Sequence, residues 1–407
     1  MDVVYERCCG IDVHKRKVTC ALRLGKKTTV KEFGTYTQDL RGMVAWLKNE
    51  RCQIVAMEST GSYWKPLYNI FELEAVEAIV VNAQHMKAIP GHKTDINDAA
   101  WIADLLQHGL LKASFIPGRE QRELRELTRY RKSRMEERAR EINRLQKILE
   151  GANVKVGSAL TNIMGDSAQR FLRLLISDKA LTLEAVIQNR DPRLKSSADE
   201  LFRSLCCIMT PLQKELLSEV MATIREQTVR IARMDAMIEK HLSVEFIAAS
   251  EAIIALPGIG IVSAHQVLAE IGIDMSRFPT AHHLCSWAGL SPGNNESAGK
   301  RRSGKTNNGN PTLKTTLVQC AHSAMMKKDS FFYTQAQRIA IRRGRKRAAV
   351  AVAHSMLIAI WHVLSGKEFR DLGADYYNQF NRERKINLHL KQLKSLGWVP
   401  PAQTEAS

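Results

Sequence analysis

The sequence predicts an α/β domain built on a mixed sheet, followed by long paired helices and a mainly α-helical C-terminal domain. Three observations predict it. Residues 4–37 read as three successive strands; residues 37–109 alternate helical and short buried-strand patterns; and from residue 118 helical periodicity takes over. Hairpins followed by alternating strand and helix units give a mixed sheet with helices on its faces.

The strands are "VVYERCCGIDVH", "KVTCALRLG" and "TTVKEFGTY", with Gly25 and two lysines marking the turn between the last two. "TQDLRGMVAWLKNE" reads as a helix opened by a Thr37 cap, with Leu40, Met43, Val44 and Leu47 at helical spacing. "CQIVAMEST" is a short buried strand, "YWKPLYNIFELE" a helix with Pro66 near its start, "EAIVVNA" another buried strand, and "INDAAWIADLLQHG" a helix.

Residues 118–150 are densely charged, with Met135, Ile142 and Leu149 seven apart and Leu145 between. In 212–242, Leu217, Ile224, Ile231 and Ile238 repeat that spacing. Two such helices can pair as a coiled coil within or between chains, and a plain helical hairpin explains the same spacing. Residues 151–210 are helical in character and carry no motif. In "AIIALPGIGIVSAHQVLAEIG", Gly258 and Gly260 separate two helical patterns. This resembles a helix-hairpin-helix, whose glycine turn lets backbone N–H groups approach a phosphate; a simple turn between packed helices is the alternative. "GKRRSGKTNNGNPTLK" reads as a loop before a helix. The expected divisions are 1–117, 118–250, 251–380 and a tail, 381–407, poorly ordered at its end.

A net charge of +18 and a pI of about 9.6 point to a polyanionic partner. Residues 298–348 hold 13 Lys or Arg against one acid, Asp329. Beside a backbone-gripping turn, such runs are better explained by phosphate contacts than by solvated faces: Lys300, Arg301, Arg302 and Lys305 in one cluster, Arg342, Arg343, Arg345, Lys346 and Arg347 in "RRGRKR". "MDVVYERCCGID" is not a signal peptide. The apolar stretch 348–364 is short for a membrane span and carries His354 and His362, so a buried helix is expected and no membrane partner. The eight cysteines form no C-x-x-C pair, which disfavours zinc and disulfides and fits reduced thiols in the cytoplasm.

On this map four acids stand out. Asp12 lies in the first strand, Glu58 ends a buried strand, and Asp95 and Asp98 open the facing helix, on one face of it. Singly each has an ordinary reading: a turn residue, a lysine partner, a helix cap and a dipole partner. Together they form an expensive gathering of negative charge. Divalent magnesium removes that cost, and two ions about 4 Å apart suit phosphodiester chemistry.

"GIDVHKRKV", "AMESTGSYW" and "HKTDINDAAWIADLL" resemble the signature segments of the DEDD transposases of bacterial insertion sequences, and "LPGIGIVSAHQVLAEIG" with "FPTAHHLCSWAGLSPGNNESAGKRRSGKTNNGNPTLK" resembles their C-terminal domain. The resemblance implies a RuvC-like (RNase H-like) N-terminal fold. It places the acidic tetrad on Asp12, Glu58, Asp95 and Asp98, with Mg2+ as cofactor. It also implies a catalytic serine, matched by Ser297 in "GNNESAGKRR". That serine would attack the scissile phosphate and hold the DNA end covalently. On chemistry alone Ser303 competes with Ser297, and either can be a loop residue. Asn310 falls in a recurrent family segment and is assigned no role; Tyr63 reads as core or site-wall packing.

The expected function is therefore an insertion-sequence transposase or DNA recombinase at bacterial nucleoid DNA, with DNA as substrate, an element-encoded guide RNA, and a dimer or tetramer as the assembly. The alternative is a RuvC-like junction-resolving endonuclease acting by metal-activated water. A sugar kinase lacks its Gly-rich phosphate turn, since His14-Lys15-Arg16 follow Asp12 closely. A non-catalytic nucleic-acid-binding protein would not need its acids.

Overall fold

The computed structural model describes residues 2–59, 61–82, 95–177, 180–293, 295–297, 300–379 and 382–398; for 95–97, 295–297, 300–303, 378, 379 and 382–385 the description is of the backbone alone. The chain divides into two compact units, Met1–Pro117 and Gly118–Ser407.

In the first unit, β1 (Arg7–Val13), β2 (Lys17–Leu24) and β3 (Lys27–Gly34) form an antiparallel meander. Helix α1 (Thr37–Asn49) leads to β4 (Ile54–Glu58), and α2 (Trp64–Leu73) to β5 (Ala78–Val81); both strands extend the sheet in parallel from β1. The order is β3-β2-β1-β4-β5, followed by α3 (Asp95–Gln107). This mixed five-stranded sheet fits an RNase H-like domain. The two-residue alternation of β1 decides the layers. Cys9, Ile11 and Val13 face α1 and α2, packing with Met43, Leu47, Leu67 and Phe71, while Cys8 faces α3 with Ile102 and Leu106. The cap of α1 falls on Tyr36 rather than Thr37, and no side chain caps it. Tyr63 is exposed at the start of α2, so it is not core.

The second unit is helical. Helices α4 (Arg119–Gly151) and α9 (Pro211–Lys240) run antiparallel within one chain: Arg131 pairs with Asp235, and seven residues further along Arg138 Nε donates to Thr228 Oγ1 at 2.9 Å. Leu217, Ile224, Ile231 and Ile238 are buried, as are Leu145 and Leu149, whereas Met135 is exposed and takes no core role. A capping box starts α9: Thr210 Oγ1 accepts from Gln213 N, and Gln213 Oε1 accepts from Thr210 N. Between these helices lie α5 (Val156–Ala159), α6 (Asp166–Ile176), α7 (Leu183–Asn189) and α8 (Ala198–Leu205). Their apolar residues, Phe171 and Leu201 among them, close over Leu145, Leu149, Leu217 and Met221.

Then follow α10 (Val244–Ile254), α11 (Ile261–Ile271), α12 (Ala281–Trp287), a hairpin of β6 (Asn295–Ser297) and β7 (Lys300–Ser303), α13 (Pro311–Ala324), α14 (Phe331–Arg343), α15 (Arg345–Leu364), α16 (Tyr376–Gln379) and α17 (Arg382–Ser395). Helix α15 is long and apolar enough to cross a membrane by length and composition. In the fold it buries Val352, Ala353, Met356 and Ile360 against neighbouring helices. All eight cysteines are free. The tail expected after 380 contains α17, and residues 399–407 lie outside the described residues.

Candidate active site

The acidic face is built by one glycine. A Cβ at Gly10 would lie 2.2 Å from the Ala99 carbonyl oxygen and 2.3 Å from the Ala103 nitrogen, so α3 rests on β1 at backbone contact. Ala99 and Ala103 meet Ala21 of β2 in the same layer. Further along α3, Asp104 pairs with Arg23, and Gln107 Nε2 donates to the Gly25 carbonyl at 2.9 Å. With α3 fixed on the sheet, Asp98 stands one residue before the contact at Ala99.

Strand register supplies two more acids. Gly10 pairs with Ala56 and Ile11 with Met57, which brings Asp12 and Glu58 to the carboxyl ends of neighbouring parallel strands. Alternation puts both on the α3 side, since Gly10 and Ala56 are there. Crevices at the carboxyl ends of parallel strands are where open α/β sheets bind ligands. Asp12 is only 8 % exposed, and its Oδ2 lies 2.8 Å from His14 Nε2. Glu58 and Asp98 are half-buried. Asp95 begins α3, and its side chain lies outside the described residues. Among the described residues, no group of three or more His, Cys, Asp or Glu is drawn together closely enough to hold a metal ion. The described acids on this face offer carboxylate oxygens, the donor type hard divalent cations prefer.

The serine lies on a hairpin rather than a loop. Ser297 in β6 pairs with Lys300 in β7, and Asn295 with Ser303. The stem continues below: Pro292 bridges Thr306, Gly293 N donates to the Lys305 carbonyl at 2.8 Å, and Asn307 N to the Ser291 carbonyl at 3.1 Å. Extended pairing of Lys300–Ser303 with 295–297 replaces the first part of the expected loop, while 304–310 stay outside the named strands and lead into α13 as expected. The side chains of Ser297, Ser303, Lys300, Arg301 and Arg302 lie outside the described residues; Lys305 is exposed.

The two glycines of "PGIG" differ. Gly258 has φ +86°, and a Cβ there would lie 2.4 Å from the Cys320 carbonyl oxygen, so conformation and packing against α13 both demand glycine. Gly260 is the N-cap of α11, with no side chain capping it and nothing within 4 Å of its would-be Cβ. "RRGRKR" is the corner between α14 and α15, turned at Gly344 with φ +80°; Arg342, Arg343, Arg345, Lys346 and Arg347 are all exposed.

Two residues without a role in the sequence reading emerge here. Asn310 caps α13, its Oδ1 accepting from Leu313 N at 3.1 Å, while its Nδ2 donates to Glu270 Oε2 at 2.6 Å. Glu270 is fully buried. Its one sequence signal is that it is the only acid in the apolar run 252–272.

Residues 9–154 match a family model described as Transposase, of the DEDD IS110 type, and residues 250–337 one described as Transposase IS116/IS110/IS902 family; together they cover more than half of the chain. The chain is 25 % identical over 332 residues to the transposase for insertion sequence element IS1111A of Coxiella burnetii, spanning 79 % of this chain and 80 % of that protein. It is 31 % identical over 112 residues to an uncharacterized 43.6 kDa protein of insertion element IS110 from Streptomyces coelicolor, spanning 27 % of this chain and 26 % of that protein. With an RNase H-like sheet under the first match and a helical unit carrying the second, the chain belongs to the IS110 family of DEDD transposases, enzymes acting on DNA.

Proposed function

We propose that this transposase cleaves and rejoins DNA strands through a covalent intermediate on Ser297, with Asp12, Glu58, Asp95 and Asp98 as the acidic tetrad. The observation that carries the tetrad is the register of β1 and β4, with α3 laid on Gly10: it aligns Asp12 and Glu58 on the face to which α3 brings Asp98. The four carboxylates would hold Mg2+, two ions per site. Bound there, the metal would supply positive charge to the attacking and leaving oxygens.

Ser297 Oγ attacks the scissile phosphorus as its proton is lost, so an Oγ–P bond forms. The P–O bond to the departing strand breaks, and that strand's oxygen takes a proton. Rejoining is the reverse displacement by a strand hydroxyl, which regenerates the serine. Because the phosphodiester is exchanged rather than hydrolysed, no external energy source is needed. A serine hydroxyl is a weak nucleophile on its own, so it must meet the acidic face, in one chain or between subunits of a dimer or tetramer.

Phosphates are held by the basic residues of the second unit. Lys300, Arg301, Arg302 and Lys305 flank the serine, the exposed Arg342, Arg343, Arg345, Lys346 and Arg347 form a corner, and Gly258 and Gly260 open α11. A net charge of +18 supports a large polyanion, which we assign to element and target DNA together with a guide RNA, in the bacterial cytoplasm.

Incubation with a labelled junction substrate and magnesium tests the mechanism. A protein–DNA adduct that disappears in Ser297→Ala is expected. Undiminished cleavage by Ser297→Ala would favour hydrolysis by a junction-resolving nuclease instead.

A further inference from the structure

Glu270 sits in α11 with no exposure and gathers three partners from elsewhere in the second unit. Arg129 of α4 makes a two-pronged ion pair with it, Nε to Oε1 at 2.7 Å and the terminal nitrogen to Oε2 at 2.8 Å. Arg125 lies one turn earlier: its Nε is 3.3 Å from Oε2, and its terminal nitrogen donates to the Glu270 carbonyl at 2.6 Å. The third partner is Asn310, through Nδ2. Two guanidinium groups and one carboxylate leave the cluster net positive, with Glu270 buried, Arg125 largely so and Arg129 reaching in from the surface, so the carboxylate is committed to them. A carboxylate in such a place is costly unless each of its oxygens is satisfied. Here Arg129 occupies Oε1, while Arg129, Arg125 and Asn310 share Oε2.

Asn310 is also where the serine hairpin ends. Its backbone N–H donates to the Trp287 carbonyl at 3.3 Å, just ahead of the segment that enters the hairpin. Next to it, Gly309 is pressed on Gly289: a Cβ at Gly309 would stand 2.2 Å from the Gly289 nitrogen, and Gly289 itself has φ +72°. The two strands of the hairpin therefore leave from one pinched root. The Asn310 side chain ties that root to Glu270 of α11, and through Glu270 to Arg129 of α4.

We propose that Glu270 and Asn310 are positioning residues that aim the serine-bearing hairpin, with Arg125 and Arg129 holding Glu270 in place. This rests on Ser297 being the nucleophile. Asn310 acts by two separable bonds. Its oxygen starts α13, and its amide locks the hairpin root to Glu270. A nucleophile on an arm must be held to well under an ångström for in-line attack, so a loosened root lowers the rate of attack without removing any group that touches DNA.

The two bonds can be separated chemically. Asn310→Asp keeps the capping oxygen but loses the donor and sets a carboxylate against Glu270. Glu270→Gln is the complementary change: whichever way its amide turns, its NH2 meets a donor of Arg129, Arg125 or Asn310, so the anchor is weakened while Asn310 still caps α13. Adduct formation is followed in single turnover at saturating labelled DNA, alongside hydrogen exchange of residues 289–310. For Asn310→Asp, DNA affinity within about threefold of wild type is expected, with adduct formation slowed about tenfold or more and faster exchange in 289–310. Protection in α4 should not change. Glu270→Gln should show both losses in the same direction. Wild-type rates and exchange in either Asn310→Asp or Glu270→Gln would overturn the proposal. Should the wild type form no Ser297-dependent adduct, the nucleophile assignment fails, while the exchange of 289–310 still decides whether this anchor holds the hairpin.

Discussion

Gly10 and Gly309 do the same thing in two regions of the chain, with different consequences. Each lets one backbone lie directly on another: a Cβ at either would come within 2.2 Å of a backbone atom. At Gly10 the contact is between a central strand and the helix covering it; Asp12, Asp95 and Asp98 belong to those same elements, and Glu58 to the neighbouring strand β4. At Gly309 the contact pinches the root of a hairpin, and Ser297 lies out along β6, away from it. The acids are thus mounted on the core itself and the serine on an arm held at its base. Damage at Gly10 should destroy the first unit, whereas damage at Gly309 should spare the fold and spoil the aim.

The sharpest way to break this comparison is Gly10→Leu. The atoms it meets are main-chain atoms of α3, which cannot rotate away, so α3 must leave the sheet. A loss of about 4 kcal/mol or more is expected, or a first unit that does not fold. Thermal unfolding and limited proteolysis report it. A stable variant would mean that α3 tolerates displacement and that the acidic face is not fixed by this contact.

Asp12→Asn asks the opposite question, whether function can fail while the fold stands. The side chain is close to isosteric, and removing a buried negative charge near Glu58 costs the fold little. Stability should change by less than about 1 kcal/mol, while magnesium-dependent cleavage falls by about a hundredfold or more, the scale seen for loss of one electrostatic contributor to a transition state. Melting temperature and cleavage rate measured on the same preparation decide it. Parallel losses in both would make Asp12 structural.

Gly309→Ala should be milder. The clash is with the backbone of Ala288 and Gly289 at the hairpin root, which must open by roughly an ångström to restore ordinary contact, a movement an arm can make and a packed core cannot. About 1–3 kcal/mol is the usual cost of overpacking. Adduct formation should fall further than that loss explains at a temperature where the variant remains folded. Equal effects on stability and rate would remove the distinction between core and arm.

These contrasts were unevenly legible in the sequence. The sheet could be read because β1, β2 and β4 are short, largely apolar runs, and the long helices because Leu217, Ile224, Ile231 and Ile238 keep a seven-residue spacing on one buried face. Asp12 and Glu58 stood out as acids in apolar strands. Hairpin β6–β7 was not legible, since Lys300, Arg301 and Arg302 carry no apolar alternation and the flanking glycines and asparagines read as loop. The Thr37 cap failed by one residue because helix starts are local and several polar residues compete for them. Glu270 and Asn310 lie forty residues apart and meet only through tertiary packing. Propensity and periodicity are local quantities, and they do not register such a pair.

Thiol chemistry offers the gentlest probe of the same difference. In the first unit Cys8, Cys9 and Cys20 are buried and Cys52 half-buried, and burial pushes Cys8 up to about 11 and Cys52 up to about 12. In the second unit Cys206 is exposed, at the C-terminal end of α8, while burial pushes Cys285 up to about 12. A thiol whose pKa is raised stays protonated until the pH approaches that value, and only the thiolate attacks disulfide reagents. Near pH 8, the native protein should therefore show one fast thiol, lost in Cys206→Ser, with the first unit's thiols silent until unfolding. Gly10→Leu should release Cys8 to the reagent under native conditions, because α3 no longer covers that side of β1. Gly309→Ala should leave the count at one. A fast thiol from the first unit in Gly309→Ala would show that the two regions fail together, and the division between a core-mounted face and a root-held arm would not stand.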